Sequence, residues 1–199
     1  MKKLFLVPAV LLLSACSMFT ARQYDPVEYN YAIRIATNAT HAAHLCKEKG
    51  ADYAGYLTEL NHDSFTLVEY VSNKGSSEEA LVAVEQIRKV TYSFLLRPER
   101  SVSYCKHKVN NIQASARMFA RAVGSSAQYD TCDSSAADRL VDFRKSYDAK
   151  AISREEFLEL ASDLEKLTLI DTSSCTLETK AKMAQLVSDL KGLTSLLPI

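Results

Sequence analysis

The sequence predicts an all-α protein, an antiparallel up-down bundle of six or seven helices. Beyond residue 25, apolar residues recur at spacings of three and four, and no stretch keeps up the alternation of a strand. Only five Gly and four Pro occur among 199 residues, too few for turn-rich β architectures, collagen-like repeats or low-complexity linkers. The apolar fraction of 47% is ordinary for a globular chain, and a chain of this length buries roughly 70% of its unfolded surface.

The first helix starts at Asp25-Pro26-Val27-Glu28: an Asp N-cap, Pro at the first helical position and Glu three after the cap. Ala32, Ile35, Ala39, Ala42 and Cys46 form its inward stripe, and Gly50 ends the run. A stripe of alanines lets neighbouring helices approach closely. The second helix carries Tyr53, Leu57, Leu60, Ser64, Leu67 and Val71 and stops at Asn73-Lys74-Gly75. Ser76-Ser77-Glu78-Glu79 reads as a capping box opening the third, with Ala80, Val84, Ile87, Thr91 and Phe94 before Pro98. Val102, Cys105, Val109, Ile112, Ala116, Phe119 and Val123 mark the fourth, closed by Gly124. Ala136, Leu140, Phe143 and Tyr147 mark the fifth. Ser153-Arg154-Glu155-Glu156 caps a sixth with Phe157, Leu160, Leu164 and Leu167, and Thr179, Met183, Leu186, Leu190 and Leu193 form a seventh.

The N-terminus has a different character. Lys2 and Lys3 precede an apolar run from Leu4 to Leu13 broken only by Pro8. Ten residues make a helix about 15 Å long, half of what a bilayer core requires, so the run fits a signal peptide and not a membrane span. Leu13-Ser14-Ala15-Cys16 follows, and here the chain resembles the bacterial lipoproteins, whose export signals end in the lipobox Leu-[Ala/Ser]-[Gly/Ala]-Cys. The resemblance covers residues 1–16 alone. It implies cleavage before Cys16, acylation of Cys16 with palmitate-type chains, and a mature protein held to a membrane without spanning it. Because Ser17 rather than Asp follows the cysteine, the same resemblance implies the outer membrane, with the domain in the periplasm. Residues 1–15 are then signal peptide, 16–24 a lipidated tether and 25–199 a single helical domain. The eight residues after Cys16 reach at most about 28 Å.

Without Cys16, four cysteines remain: Cys46, Cys105, Cys132 and Cys175. An even count suits an oxidising compartment, and there is no Cys-x-x-Cys for a redox motif or zinc knuckle. If short connections make consecutive helices run up and down, Cys46 and Cys105 lie at one end of the bundle and Cys132 and Cys175 at the other. Other pairings would span a helix length, whereas bridged Cα atoms lie within about 7 Å. Two disulfides, Cys46–Cys105 and Cys132–Cys175, are expected.

Chemistry-bearing patterns are sparse. His41 and His44 are three apart, a spacing that could ligate a metal, but they fall on the outward side of their helix, as do His62 and His107 of theirs; no metal or other cofactor is expected. Gly-x-Ser-x-Gly, His-Glu-x-x-His and phosphate-cradling Gly-rich loops are missing. Glu155, Glu156 and Glu159 read as a solvated helix face. Around Ile152, the EF-hand pattern would place Lys145, Tyr147 and Ala149 where oxygen ligands belong, so calcium binding is not expected. Tyr70, Tyr92 and Tyr104 lie beside the inward stripes, and the apolar stretch from Leu193 to Ile199 reads as packing onto the bundle or as a docking tail.

Twenty-four Lys+Arg balance 24 Asp+Glu, which argues against nucleic-acid binding, since that needs a basic excess. With no catalytic constellation, the expected function is that of a non-enzymatic interaction module. It would be held to the membrane through acyl chains on Cys16 and present a surface to an envelope protein as assembly factor, adaptor or inhibitor. A module binding a small apolar ligand such as a lipid, in a cavity left by the alanines of the first helix, is the alternative.

Overall fold

The computed structural model describes residues 24–48, 50–97, 100–124 and 135–168, with scattered positions between 177 and 192. Six helices run through them: α1 Pro26–Leu45, α2 Ala51–Lys74, α3 Glu78–Leu95, α4 Val102–Gly124, α5 Ala136–Asp148 and α6 Arg154–Thr168. No strand occurs among the described residues, and no helix there is long and apolar enough to cross a membrane. Cys16, Cys132, Cys175, the apolar positions expected for a seventh helix and the stretch from Leu193 to Ile199 lie outside the described residues.

Local chemistry sets the helix ends. Asp25 Oδ1 accepts from the N–H groups of Val27 and Glu28 at 2.8 and 3.0 Å, satisfying donors that the first turn of α1 leaves unpaired. Gly75 takes the left-handed conformation, φ +69°, that closes α2, and the Ser76 N–H reaches back to the Val71 carbonyl. The expected capping box at Ser76 is not formed. Ser77 is the N-cap, accepting from the Ala80 N–H, while the Ser76 hydroxyl donates to Glu28 on α1. A third residue after Ser77 is alanine, so no reciprocal carboxylate is available. The box before α6 is complete: the Ser153 N–H donates to Glu156 Oε2 at 2.7 Å, and the Glu156 N–H donates to Ser153 Oγ at 3.1 Å.

Helices α1–α4 form a square, with α1 and α3 each set between α2 and α4. The contacts show them antiparallel in turn. Asp25 at the start of α1 meets Lys74 at the end of α2. The Tyr53 ring near the start of α2 lies edge-on to Phe94 near the end of α3, and Ser64 bonds Thr91 between the two helices. Ser93 near the end of α3 meets Lys108 near the start of α4. Cys46 and Cys105 are disulfide-bonded with Cα atoms 5.8 Å apart, as this topology requires. Ala32, Ile35, Ala39, Ala42 and Cys46 are all fully buried. The pairing of α1 with α4 is the most extensive among the described helices, because the small side chains let the two backbones close on one another. Side chains such as Ile35, Leu60, Ile87 and Ile112 contribute about 1.5–3 kcal/mol each by leaving water.

Helices α5 and α6 form a hairpin beside this square. Phe143, Leu140, Ile152 and Phe157 are buried, and the Tyr147 and Phe157 rings lie 5.3 Å apart. Helix α6 rests on α3 and α4, and α5 on α6 and the margin of α4. Of the tyrosines beside the inward stripes, Tyr104 is fully buried in the core and Tyr92 is half exposed at its boundary.

Candidate functional site

Helix α4 buries two stripes. One, through Cys105, Val109, Ile112 and Ala116, is apolar. The other is polar and consists of Tyr104, Lys108, Asn111 and Ser115, every one buried. Residues at i, i+4, i+7 and i+11 share a helix face, and this face meets α6 running parallel to α4. Three contacts keep one register, each joining residues 55 apart: Ser101 with Glu156, Tyr104 with Glu159, Lys108 with Asp163.

At the solvent end, Glu156 Oε1 accepts from the Ser101 N–H at 2.7 Å and Oε2 from the Ser101 hydroxyl at 3.1 Å. Ser101 Oγ in turn accepts from the Tyr104 N–H, which makes Ser101 the N-cap of α4. A capping box wants a carboxylate at the third helical position; α4 has Tyr104 there, and Glu156 of α6 takes its place. Arg100 is 2.7 Å from Glu155 and 3.6 Å from Glu159, and Arg97 is 3.2 Å from Glu159.

Deeper in, the Tyr104 hydroxyl donates to Glu159 Oε1 at 2.7 Å. Lys108, with no solvent exposure, donates from Nζ to Ser93 Oγ at 2.9 Å and to Glu159 Oε1 at 3.1 Å, and pairs closely with Asp163. Burial pushes the Asp163 carboxyl up, with Lys108 opposing. Burial acts the same way on Glu159, but the bonds from Tyr104 and Lys108 outweigh it and hold that carboxyl below the usual range. Burial and Glu159 together push the Tyr104 phenol up. One turn beyond Lys108, Asn111 is fully buried with neither amide atom hydrogen-bonded. On α3, Gln86 lies seven residues before Ser93 and carries another unbonded buried oxygen.

The reading of Glu155, Glu156 and Glu159 as a solvated face therefore holds for Glu155 alone. Glu156 is 5% exposed and the Glu159 side chain 17%. His107, expected on the outward side, is instead half-buried between α4 and α5. Its Nε2 is 2.8 Å from Ser146 Oγ, its ring lies edge-on to Phe143, and burial pulls its pKa down against the opposing pull of Asp142. His41, His44 and His62 are exposed, and His41 stacks on Tyr56. No group of three or more His, Cys, Asp or Glu among the described residues is placed to hold a metal.

Lys108 has three N–H bonds and three acceptors, so its nitrogen is engaged. That arrangement locks two helices in register; a nucleophilic amine needs a free lone pair. Two open grooves lie elsewhere. One of about 560 Å³ borders Tyr147, Asp148, Lys150, Ile152 and Ser153 at the α5–α6 turn. Another, of about 530 Å³, runs between Leu140, Val141 and Phe157 on one side and Ser188, Asp189 and Gly192 on the other. Two of the expected site residues, Cys46 and Cys105, are brought together, next to Tyr53, whose hydroxyl is 3.3 Å from Cys105 Sγ. No protein family matches this chain, and no curated protein or solved structure is significantly similar to it.

Proposed function

We propose that the protein is a lipid-anchored envelope protein whose helical bundle is a non-enzymatic interaction module, tethered through Cys16 to the periplasmic face of the outer membrane. The observation that carries this reading is the lipobox Leu13-Ser14-Ala15-Cys16 at the end of a signal-length apolar run. Several acyl chains on one cysteine, at about 0.8 kcal/mol per buried methylene, hold far more firmly than a single chain.

Several features of the domain support it. The tether joins the bundle at Asp25, which is clamped to Lys74 and Tyr70 of α2. Cys46–Cys105, Arg97, Arg100 and the exposed Leu96 lie at the opposite pole, about 30 Å away along the 20-residue α1. That pole is the one a partner in the periplasm would meet. The engaged Lys108 speaks for a scaffold over a catalyst. The alanine stripe of α1 is fully buried and packs on α4. A second disulfide, Cys132–Cys175, belongs to the same proposal and to the same oxidising compartment.

The test is membrane fractionation of cells expressing the wild-type chain or Cys16→Ala, with metabolic labelling by a palmitate analogue. Loss of the label and release of the variant into the soluble periplasmic fraction are expected. A variant that stays with the outer membrane would overturn the anchor. Crosslinking from position 96 in intact cells, compared with a crosslinker at position 72 near the tether, then reads which pole meets a partner.

A further inference from the structure

We propose that the α5–α6 hairpin is a hinged unit that leaves α3 and α4 as one piece while the disulfide-closed α1–α4 square stays folded. The inference is independent of the anchor and of any partner. It rests on how differently the two parts are held.

The square is closed by apolar stripes and by Cys46–Cys105. The hairpin has contacts of its own: the Tyr147 and Phe157 rings, buried Phe143 and Ile152, and the Ser153–Glu156 box at its turn. The two parts are joined by the seam of α6 with α4 and α3, to which Leu160, Leu164 and Leu167 add fully buried apolar side chains, and by the His107–Ser146 bond. That seam buries Lys108, Glu159 and Asp163, charges whose loss of water their mutual attraction only partly offsets. One turn beyond Lys108 on the same helix, the Asn111 amide is buried without hydrogen-bond partners, a condition buried polar groups rarely tolerate. Lys108, Glu159 and Asp163 regain water once α6 lifts away, which lowers the cost of opening here relative to the disulfide-closed square. Proteins open locally in cooperative units drawn from such weakly held regions. The regular 55-residue register of the three seam contacts returns the hairpin to a single position when it closes, since a shift of one turn would put Ile152 or Leu160 opposite Ser101 in place of Glu156.

Hydrogen exchange read by mass spectrometry on the full, detergent-solubilised chain tests this. Peptides of α5 and α6 should exchange together, at least tenfold faster than peptides of α1 and α2. Lys108→Met alone, which strands Asp163, should speed exchange in α5 and α6 a further tenfold or more and leave α1 and α2 unchanged. Lys108→Met with Asp163→Leu, which removes both charges, should slow α5 and α6 at least fivefold. Exchange of α5 and α6 at the rate of α1 and α2 in the wild-type chain would overturn the proposal, and that measurement decides even where a variant fails to fold. Equal acceleration of all six helices by Lys108→Met would overturn it as well.

Discussion

Glu156 serves two helix starts with one carboxylate: it completes the capping box of its own helix and supplies the missing acidic partner for Ser101 at the head of α4. Removing it leaves the Ser101 and Ser153 N–H groups without their acceptor. Each lost cap costs about 1 kcal/mol and a stranded buried donor adds a similar amount, so Glu156→Ala is expected to lower stability by about 2–3 kcal/mol in urea unfolding. Glu156→Gln keeps one acceptor oxygen and should fall between the two. Half of this was legible in the sequence: Ser153-Arg154-Glu155-Glu156 announces a box by its spacing. The other half was not, because the spacing rule links residues three apart and the bond to Ser101 crosses 55 residues. His107 eluded the sequence in the same way, since what buries it is a separate helix.

At the scale of the element, helices with one buried face were read in full. Every inward residue named for α2, from Tyr53 to Val71, is buried, because a single apolar stripe and a single covered face coincide. Helix α4 has two covered faces. Its second carries Tyr, Lys, Asn and Ser, residue types that ordinarily face water, so a periodicity of apolar residues counts that face as solvent. The seam was invisible for this reason. The junction of α1 with α2 depends on Asp25, whose carboxyl burial pushes up but whose bonds to Lys74 and to the Val27 and Glu28 amides pull it down to about 2. A carboxyl lowered in the folded state adds stability above its unfolded value near 3.8, and that stability is lost as pH falls from there towards 2. With Lys74 partly exposed, the contribution is on the order of 1–2 kcal/mol. Unfolding measured between pH 2 and 5 should show a shallower acid dependence for Asp25→Asn than for the wild-type chain; parallel curves would contradict the clamp.

For the molecule as a whole, Cys46–Cys105 decides more than how firmly α1 sits on α4. A chain tied to a membrane at one end and gripped elsewhere carries tension between the two points. From the N-terminal side, that tension runs along α1 to Cys46, crosses the disulfide to Cys105 and continues into α4. Residues 47–104, which include all of α2 and α3, hang on a covalent bypass and carry none of it. Stretching the oxidised protein between its ends in an optical trap should therefore fall short of the full contour by the sequence separation of 59 between the cysteines, about 210 Å at 3.6 Å per residue, and reduction should return that length. Under pull, half of the square is a passenger: it keeps its shape for whatever meets it while α1 and the bridge take the strain.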